Sequence, residues 1–456
     1  MAASIILADN ATVNIKQAID RAVQTAQIPG AIIRIVNAGG HAIFSYASGS
    51  VAPIGNPAAR HDLLEDDIAS IWSLSKLVTS TALLQLVDAG VLDLDDPAII
   101  ERTLPELASK QILVGFENST IEGRRKKPIL VPRETNITAR MLLTHTAGIS
   151  QSFFEPLLQE FWGDELATKG EMVDYWNNLK TTPLTTQPGT TWSYGSATDW
   201  AGVLVERLSN SSLAGYFSRE IFQPLEMSDS SFDAHMPPQD SKRVFPPYMK
   251  HPNGSLVADT HWWNGPTPEA PGPFFPDSDE HRYMGASGLA MTAPDYGVLL
   301  ATLLNGGVCP ASGVRLLSKT SVDAIFSSQL SSEVAFSGVV GVPGPLAVPA
   351  DLKVHDPEVG IGLAGSAVSR NDRLLSDGRV GRKAGSAYWY GLKNAEWWVD
   401  RAAGIGVVMF SNYLPWNDAA WLKLVDSVES EIYAGVSDPE ADCIGNSAQN
   451  GFPGSL

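Results

Sequence analysis

The chain has 456 residues, of which 44% are hydrophobic and 18% are charged, and this composition is typical of a folded globular protein. Its formal charge of −18 argues against nucleic acid and anionic membranes as partners, because both carry negative charge themselves. No apolar run approaches the ~20 residues that a membrane span requires, so no membrane partner is expected.

The N-terminal segment lacks the pattern of an export signal. Residues 1–9 carry no positive side chain and only a short apolar stretch, so we expect a cytoplasmic protein. Cys309 and Cys443 are the two cysteines of the sequence, too few for a disulfide framework or a cysteine-based metal site. No metal-binding motif of the His-x-x-Glu-His type occurs, and we predict neither a metal nor another cofactor.

A helix and a hairpin are predicted near the N-terminus. Residues 14–27 have apolar side chains at helical spacing and predict an amphipathic helix that ends at Ile28-Pro29-Gly30. Residues 31–36 and 42–46 predict two strands, and the intervening Asn37-Ala38-Gly39-Gly40 is typical of a hairpin turn.

The middle of the chain is mostly helical in pattern. Residues 74–89 are apolar nearly all round and predict a buried helix with Gly90 as its C-cap. Residues 137–143 predict another helix, and residues 156–232 are mainly helical with interruptions at prolines. Residues 233–283 are rich in proline and aromatic residues, which favours an irregular loop that forms a pocket wall or a lid.

Strands return towards the C-terminus. Residues 288–304 predict a strand edge that turns into a helix, and residues 386–399 and 403–411 predict a pair of strands. Residues 419–433 predict a terminal helix.

This order predicts an α+β fold with an antiparallel sheet built from both ends of the chain and a mostly helical domain inserted between them. We assign residues 1–68 and 284–435 to the sheet domain and residues 69–283 to the helical domain, with 233–283 as its irregular loop. Residues 436–456 are polar and rich in Gly and Ser, and they predict a flexible tail.

Ser73 and Lys76 lie three residues apart at the start of the buried helix. On a helix this spacing places the two side chains on one face, one turn apart. A hydroxyl needs a neighbouring base to become a nucleophile, and a partly buried amine can serve as that base. The alternative reading is an ordinary helix N-terminus, in which Ser73 is a cap and Lys76 is solvated.

Further segments follow in a fixed order, and together with Ser73-Leu74-Ser75-Lys76 they resemble the serine β-lactamase and penicillin-binding-protein superfamily. The resemblance covers residues 14–435 and is strongest to the class C-like branch, which includes the family VIII carboxylesterases and the lovastatin-pathway acyltransferase. The further segments are Leu142–Gly148, Pro188-Gly189 with Trp192–Ser196, Trp389-Tyr390-Gly391 and Pro415–Asp418.

The resemblance implies a role for each motif residue. Ser73 becomes acylated, Lys76 accepts its proton or balances charge, and Tyr194 acts as a base when its phenol is ionised beside the ammonium group. The backbone N–H groups of Ser73 and Leu392 are implied as the oxyanion donors. Tyr194 as a buried core tyrosine is the alternative, and the choice between Lys76 and Tyr194 as the main base stays open.

Two motif positions bear on the substrate. Ser196 stands where the lactamases carry Asn, and although its hydroxyl can bond Lys76, it cannot copy an amide that both donates and accepts. Lys383-Ala384-Gly385-Ser386 matches the lactamase Lys-Thr-Gly motif superficially, but we prefer Trp389-Tyr390-Gly391 because Asn394 and the strand after it continue the esterase pattern. Both features favour esters over penicillins.

Two other segments are read as structural. His145 is expected to brace the turn before Gly148 and not to act as the general base. The serine in Gly285-Ala286-Ser287-Gly288-Leu289 is expected to form a tight entry into a strand. No Gly-x-Ser-x-Gly elbow occurs, so an α/β-hydrolase is not supported.

We therefore predict a serine-dependent acyl-transfer enzyme, a hydrolase or transesterase, in secondary metabolism. Its predicted partners are a small hydrophobic ester, thioester or lactone as acyl donor, and water or an alcohol as acceptor. The alternatives are a β-lactamase or D-peptidase, and a non-catalytic binding protein that keeps the fold. The predicted substrate-binding residues are Ser196, Trp389, Tyr390, Gly391, Trp416, Trp262 and Trp263, with Trp162 as a further candidate for the aromatic pocket.

Overall fold

The computed structural model describes residues 5–51, 60–117, 126–152, 154–163, 175–232, 243–258, 283–332, 334–336 and 359–437. A 3₁₀ turn at Trp72–Leu74 precedes α2, and a π-helical turn at Ser218–Phe222 follows α9. The helices are α1 (Asp9–Gln24), α2 (Ser75–Asp88), α3 (Pro97–Thr103), α4 (Pro105–Ala108), α5 (Ala139–Leu143), α6 (Pro156–Trp162), α7 (Tyr175–Thr181), α8 (Ala197–Ser209), α9 (Leu213–Phe217), α10 (Ala293–Leu304), α11 (Lys319–Ile325) and α12 (Ala419–Gly435).

The strands form one large sheet and several small ones. They are β1 (Ile6–Leu7), β2 (Gly30–Asn37), β3 (Ala42–Val51), β4 (His61–Asp62), β5 (Ala69–Ser70), β6 (Ile112–Phe116), β7 (Pro128–Val131), β8 (Thr191–Trp192), β9 (Ser231–Phe232), β10 (Tyr248–Lys250), β11 (Leu256–Ala258), β12 (Leu289–Met291), β13 (Ala335–Phe336), β14 (Gly360–Ile361), β15 (Ala367–Val368), β16 (Ala387–Gly391), β17 (Ala395–Asp400), β18 (Ile405–Phe410), β19 (Tyr413–Leu414) and β20 (Val436–Ser437). The large sheet has the order β14-β15-β16-β17-β18-β2-β3-β4, and every pair in it is antiparallel.

The predicted fold class is confirmed, because strands from both ends of the chain form one antiparallel sheet with helices packed against it. Strand β18 pairs with β2, which joins residues 405–410 to residues 32–37 in the centre of the sheet. The turn after β2 follows the predicted signal: the Asn37 side chain accepts from the N–H groups of Gly39 and His41, and Gly40 has φ +81°. The predicted boundaries of the two domains stay a prediction.

Two sequence predictions are wrong in detail. Residues 386–399 form two strands, β16 and β17, because Leu392, Lys393 and Asn394 make a three-residue turn with Asn394 at φ +59°. Asparagine tolerates the left-handed conformation, which allows this turn without glycine. Within the segment predicted as a loop, β10 and β11 form a hairpin, and β10 also pairs with β19. These strands of three residues are too short to produce a recognisable alternation.

Both faces of the large sheet are covered. Helix α10 packs against β2, β17 and β18, whereas α12 packs against α1. On the α12 side the Trp421 indole N–H donates to Glu396 Oε1 of β17 at 3.0 Å. Residues directly opposite on neighbouring strands share a face, so Tyr390, which pairs with Glu396, also faces α12. Trp389, which pairs with Trp397, faces the other side of the sheet.

A buried ionic cluster holds α12 onto the sheet. Glu429 of α12 is fully buried and accepts from the Arg382 backbone N–H at 3.0 Å and from the Arg382 guanidinium at 2.8 Å. Arg373 pairs with the same carboxylate. Burial acts to raise the pKa of Glu429, but the two guanidinium groups outweigh it and the pKa lies below its usual value. Glu429 is therefore charged and balanced, and it secures the segment that leads into β16.

Glu396 gives this cluster a pH dependence. Burial, aided by the charge of Glu429, raises the pKa of Glu396 to about 7. Because the folded-state pKa of Glu396 lies above the unfolded value near 4.5, its protonated form stabilises the fold. This contribution to the free energy of unfolding is fully present below pH 4.5 and is lost as the pH rises through 7. The shift corresponds to about 3 kcal/mol. We expect Glu396→Gln to remove this loss while it keeps an acceptor for Trp421, measured by urea unfolding at pH 5 and pH 9.

Glu431→Gln is the matched control for that prediction. Hydrogen bonds from Asn14 and Arg379 lower the pKa of Glu431, so its charged form stabilises the fold and its replacement should cost stability at high pH. An equal fall in the free energy of unfolding between pH 5 and pH 9 in wild type and Glu396→Gln would contradict the assignment.

Ser73 lies where the sheet meets the helices. Strand β5, three residues before Ser73, pairs with β12, and β12 pairs with β9 on its other side. Helix α2 then packs against α8, whereas the 3₁₀ turn that carries Ser73 packs against β16 of the large sheet. In the described ranges no helix is long and apolar enough to cross a membrane.

Candidate active site

The backbone around Ser73 has an unusual conformation. Trp72 has φ +51°, a left-handed conformation that costs a bulky side chain of order 1–3 kcal/mol. Its neighbours hold it there, since the Ile71 N–H donates to Leu289 O at 2.9 Å and the Lys393 ammonium lies 5.1 Å from the centre of the Trp72 ring. Backbone strain of this kind clusters at functional sites. The conformation occurs in the 3₁₀ turn that carries Ser73, between strand β5 and the start of α2.

Helix α2 is buried, and three of its polar side chains have partners in residues 285–289. The Ser75 hydroxyl accepts from the Leu289 N–H at 3.1 Å, and the Thr79 hydroxyl donates to Gly285 O at 2.6 Å. Gly285 packs closely here, because a Cβ on it would lie 3.1 Å from Thr198 O. These bonds fix the first two turns of α2, and with them Ser73 and Lys76.

Two side chains converge on the hydroxyl oxygen of Ser73. The Tyr194 hydroxyl lies 2.8 Å from Ser73 Oγ, and Lys76 Nζ lies 3.2 Å from it. Lys76 is 4% exposed and also donates to Ala286 O at 3.1 Å. Ser73 itself is partly exposed, whereas Lys76 is buried. A hydroxyl within reach of two proton-transfer groups has the geometry of an activated nucleophile.

Aromatic rings surround Tyr194 and set its position. The Tyr194 ring lies 5.0 Å from His145, 5.4 Å from Phe154 and 5.4 Å from Trp389, measured between ring centres. Lys76 Nζ lies 4.7 Å from the centre of the Tyr194 ring. The three rings pack around Tyr194, and the Lys76 ammonium over its ring makes a cation–π contact.

Strand β16 passes directly against the Ser73 turn. A Cβ on Gly391 would lie 2.9 Å from Ile71 O and 3.1 Å from Leu74 Cδ1, so only glycine allows this approach. Asn394 closes the turn with an N–H bond to Gly391 O at 3.1 Å, and its amide donates to Tyr413 O and Pro415 O. These bonds hold the turn that contains Leu392 at the end of β16, the strand that packs against the Ser73 turn.

The profile of the family described as Beta-lactamase matches residues 15–427. The chain belongs to the β-lactamase family. It is 31% identical to Acyltransferase calJ of Penicillium decumbens over 87% of each chain, and 29% identical to Lovastatin esterase of Penicillium rubens over 90% of this chain and 96% of that one.

A solved structure is also similar to this chain. Unliganded simvastatin synthase from Aspergillus terreus superposes with a TM-score of 0.73 at 27% identity, over 94% of this chain and 99% of that one. The relatives of this β-lactamase-family chain are named for acyl transfer and ester cleavage. The chain is accordingly an acyl-transfer enzyme with the β-lactamase fold, as the motifs predicted.

His145 lies beside the site of this β-lactamase-family enzyme and does not contact Ser73. Burial, followed by the charge of Lys76, lowers the pKa of His145 to about 3, so the imidazole is neutral. Its backbone carbonyl accepts from the Ser193 N–H at 2.8 Å, and its ring packs against Tyr194. His145 therefore supports the segment that carries Tyr194, in line with the structural role predicted for it.

The two candidate third motifs lie in different places. Gly391 is the last residue of β16 and touches the Ser73 turn, whereas Lys383 precedes β16 and is 42% exposed. Lys383 forms a surface ion pair with Asp372 at 3.1 Å. Of the two motifs, the later one therefore reaches the site of this β-lactamase-family enzyme, through Gly391 and Trp389.

The predicted substrate-binding aromatics separate into groups. Trp389 contacts Tyr194 and stays a candidate, whereas Tyr390 lies on the opposite face of the sheet, where burial raises its pKa to about 12. Successive side chains of a strand point to opposite faces, so both cannot line one pocket. Trp416 is half-buried in the loop that Asn394 holds, and Trp162 is buried at the end of α6. Trp262 and Trp263 lie outside the described residues.

Ser196 has a different partner from the one expected. Its hydroxyl accepts from Gln151 Nε2 at 3.1 Å, whereas the hydrogen bonds of Lys76 run to Ser73 and Ala286. The serine side chain is short, and its hydroxyl is turned towards Gln151. Gln151 had no motif to mark it in the sequence.

A small cavity lies behind Ser196. Lys110 lines it, and burial lowers the pKa of this lysine to about 7. The Lys110 ammonium donates to Lys180 O at 2.8 Å and to Thr182 O. The cavity has room for about one water molecule, which is too little for an acyl group. Nothing in the spacing of Lys110 predicted its burial.

Proposed function

We propose that Ser73 is the nucleophile of an enzyme that transfers the acyl group of a small hydrophobic ester, thioester or lactone to water or an alcohol. The convergence of Lys76 and Tyr194 on Ser73 Oγ carries this proposal, because it supplies both activation and charge balance. Names of the relatives include an acyltransferase and an esterase, which supports both kinds of acceptor.

The reaction has two steps. In the first, a base of the Lys76–Tyr194 pair takes the Ser73 proton while Ser73 Oγ bonds to the carbonyl carbon. The resulting oxyanion is stabilised by the N–H groups of Ser73 and Leu392, and the leaving alcohol or thiol departs with the proton. In the second, water or an alcohol repeats the sequence on the acyl-enzyme and restores the Ser73 hydroxyl.

The acyl group is proposed to lie against Trp389, with Trp416 near the mouth of the site. Both are apolar rings close to the turn that Gly391 and Asn394 form beside Ser73. A β-lactam or D-peptide substrate is disfavoured because Lys383, which would have to face a substrate carboxylate, is paired with Asp372 at the surface. The cytoplasmic location stays a prediction from the sequence.

Trapping of the acyl-enzyme tests the proposal. The protein is mixed with p-nitrophenyl esters of two to eight carbons and quenched in acid, and the peptide that carries the added mass is identified. We expect the acyl mass on Ser73, and none on heat-unfolded protein. No added mass with any ester would favour a binding protein, and faster turnover of nitrocefin than of every ester would favour a β-lactamase.

The acceptor is tested in the same assay. A hydrophobic alcohol is added in increasing concentration, and the new ester and the free acid are measured separately. We expect the alcohol to take a growing share of the acyl groups while total turnover stays the same or rises. A product ratio independent of the alcohol would restrict the proposal to a hydrolase.

A further inference from the structure

A buried carboxylate lies beneath the proposed catalytic residues. Asp199, in the first turn of α8, is 1% exposed, and its Oδ1 accepts from the Ala286 N–H at 2.9 Å. The carbonyl of the same residue, Ala286, accepts from Lys76 Nζ at 3.1 Å. Asp199 therefore binds the N–H of Ala286, and Lys76 binds its carbonyl. The hydrogen bonds form a chain from Asp199 through Ala286 and Lys76 to Ser73 Oγ.

The charge of Asp199 is incompletely balanced. Burial raises its pKa to about 6, while the Lys76 charge, the Ala286 N–H and the Tyr175 phenol act in the opposite direction. Above pH 6 the group is thus a buried anion. No lysine or arginine of the described ranges forms a direct ion pair with it, and Lys76 is the cation whose charge acts on it.

Three other titratable side chains, Tyr175, His145 and Tyr194, surround this pair. Tyr175 faces Asp199 from α7, and burial together with the charge of Asp199 raises the pKa of its phenol well above the usual value. His145 faces Lys76 from the turn after α5, with its pKa lowered to about 3. Tyr194 presents its ring to the Lys76 ammonium. Asp199 is the carboxylate among these groups whose charge interacts with that of Lys76.

We propose that Asp199 is a positioning residue that, through Ala286 and its own charge, keeps Lys76 as an ammonium ion aimed at Ser73. The inference rests on the proposed function of Ser73. An anion in a low-dielectric site stabilises a nearby cation, and an ammonium ion has no lone pair with which to accept a proton. Tyr194, which also contacts Ser73 Oγ, is then the group left to accept the Ser73 proton, the role that the family resemblance implies for it.

Each proton then has a defined position. The Tyr194 phenolate accepts the Ser73 proton as the bond from Ser73 Oγ to the carbonyl carbon forms. The resulting phenol gives this proton to the leaving alkoxide or thiolate as that bond breaks. Lys76 keeps its three protons throughout, and its charge offsets first the phenolate and then the oxyanion.

Asp199→Asn tests the inference, because the amide oxygen still accepts from Ala286 while the charge is lost. The measured quantity is kcat/KM for a p-nitrophenyl ester between pH 5 and pH 10. We expect the alkaline limb, which reports loss of the ammonium proton, to move to lower pH by about one unit with KM changed less than threefold. Asp199→Leu should show the same shift with a further loss of kcat, because Ala286 is no longer held.

Asp295→Asn is the matched control. Asp295 is also buried and accepts from a backbone N–H, that of Asp229 at 2.9 Å, but it lies on α10 away from Ser73. The alkaline limb of the Asp295→Asn pH profile should coincide with that of wild type. If the Asp199→Asn profile has an unmoved limb and a uniform loss at every pH, Asp199 is merely structural and the inference is overturned.

A second measurement needs no variant. In wild-type protein with 15N-labelled lysine side chains, the Lys76 Nζ signal is followed by NMR, with Lys76→Met identifying the signal. We expect an ammonium ion throughout the active pH range, and a neutral amine at the pH optimum would overturn the inference. Acylation of Ser73 is measured separately by the added mass. Failure of the Asp199 or Lys76 test therefore does not contradict the role of Ser73 as nucleophile.

Discussion

Replacement of Ser73 by alanine is expected to lower ester turnover by on the order of 10⁴-fold. The oxygen that Tyr194 and Lys76 contact is the atom that would form the acyl-enzyme, and no neighbouring group can take its place in the same geometry. The fold should persist, because the site surrounds the hydroxyl without depending on it for packing. The measurements are kcat/KM for p-nitrophenyl butyrate and the thermal unfolding temperature.

Ser287→Ala is the control for this comparison. Ser287 lies beside Ala286 in the other glycine-rich turn, is partly buried, and has Met284 Sδ as its side-chain partner at 4.0 Å. It should retain turnover within about threefold of wild type. A Ser73→Ala protein with more than a tenth of wild-type turnover would show that Ser73 is not the nucleophile.

Tyr194→Phe is expected to lower kcat by about 10²- to 10⁴-fold with little change in KM, the range typical of losing a positioned general base. Phenylalanine keeps the ring contacts with His145, Phe154 and Trp389, so the loss isolates the hydroxyl at 2.8 Å from Ser73. Stopped-flow release of p-nitrophenol separates acylation from deacylation, and we expect both to slow because each needs the same base.

Tyr390→Phe provides the comparison for the second variant. Tyr390 was predicted to line the pocket, but it faces Glu396 and α12 on the other side of the sheet. The loss of its hydroxyl should change turnover less than twofold. Equal losses of turnover in Tyr194→Phe and Tyr390→Phe would mean that the closeness of the Tyr194 hydroxyl to Ser73 does not explain the loss.

Local sequence identified more of the site than of its surroundings. Ser73 and Lys76 are one helical turn apart in any helix, so their proximity required no tertiary information. Tyr194 is 121 residues away from Ser73, and only the order of the motifs connected it with them. The structure brings the three side chains together, and their catalytic roles stay predictions until the variants are measured.

Other residues had no local signal. Asp199 stands in the first turn of an apolar helix, where an acidic residue is ordinary, and only the arrival of Ala286 beside it gives it a buried partner. Gln151 and Lys110 likewise acquire their contacts from segments far away in the chain.

The sequence by itself determined the fold class, the family and the identity of the three central side chains. Periodicity and turn residues are local properties, and the motifs preserve chemistry that needs particular residue types. Tertiary structure decided which face of β16 meets Ser73, and therefore that Trp389 borders the site while Tyr390 does not. It also decided that a buried carboxylate lies behind Lys76, because burial and charge pairing depend on which distant segments pack together.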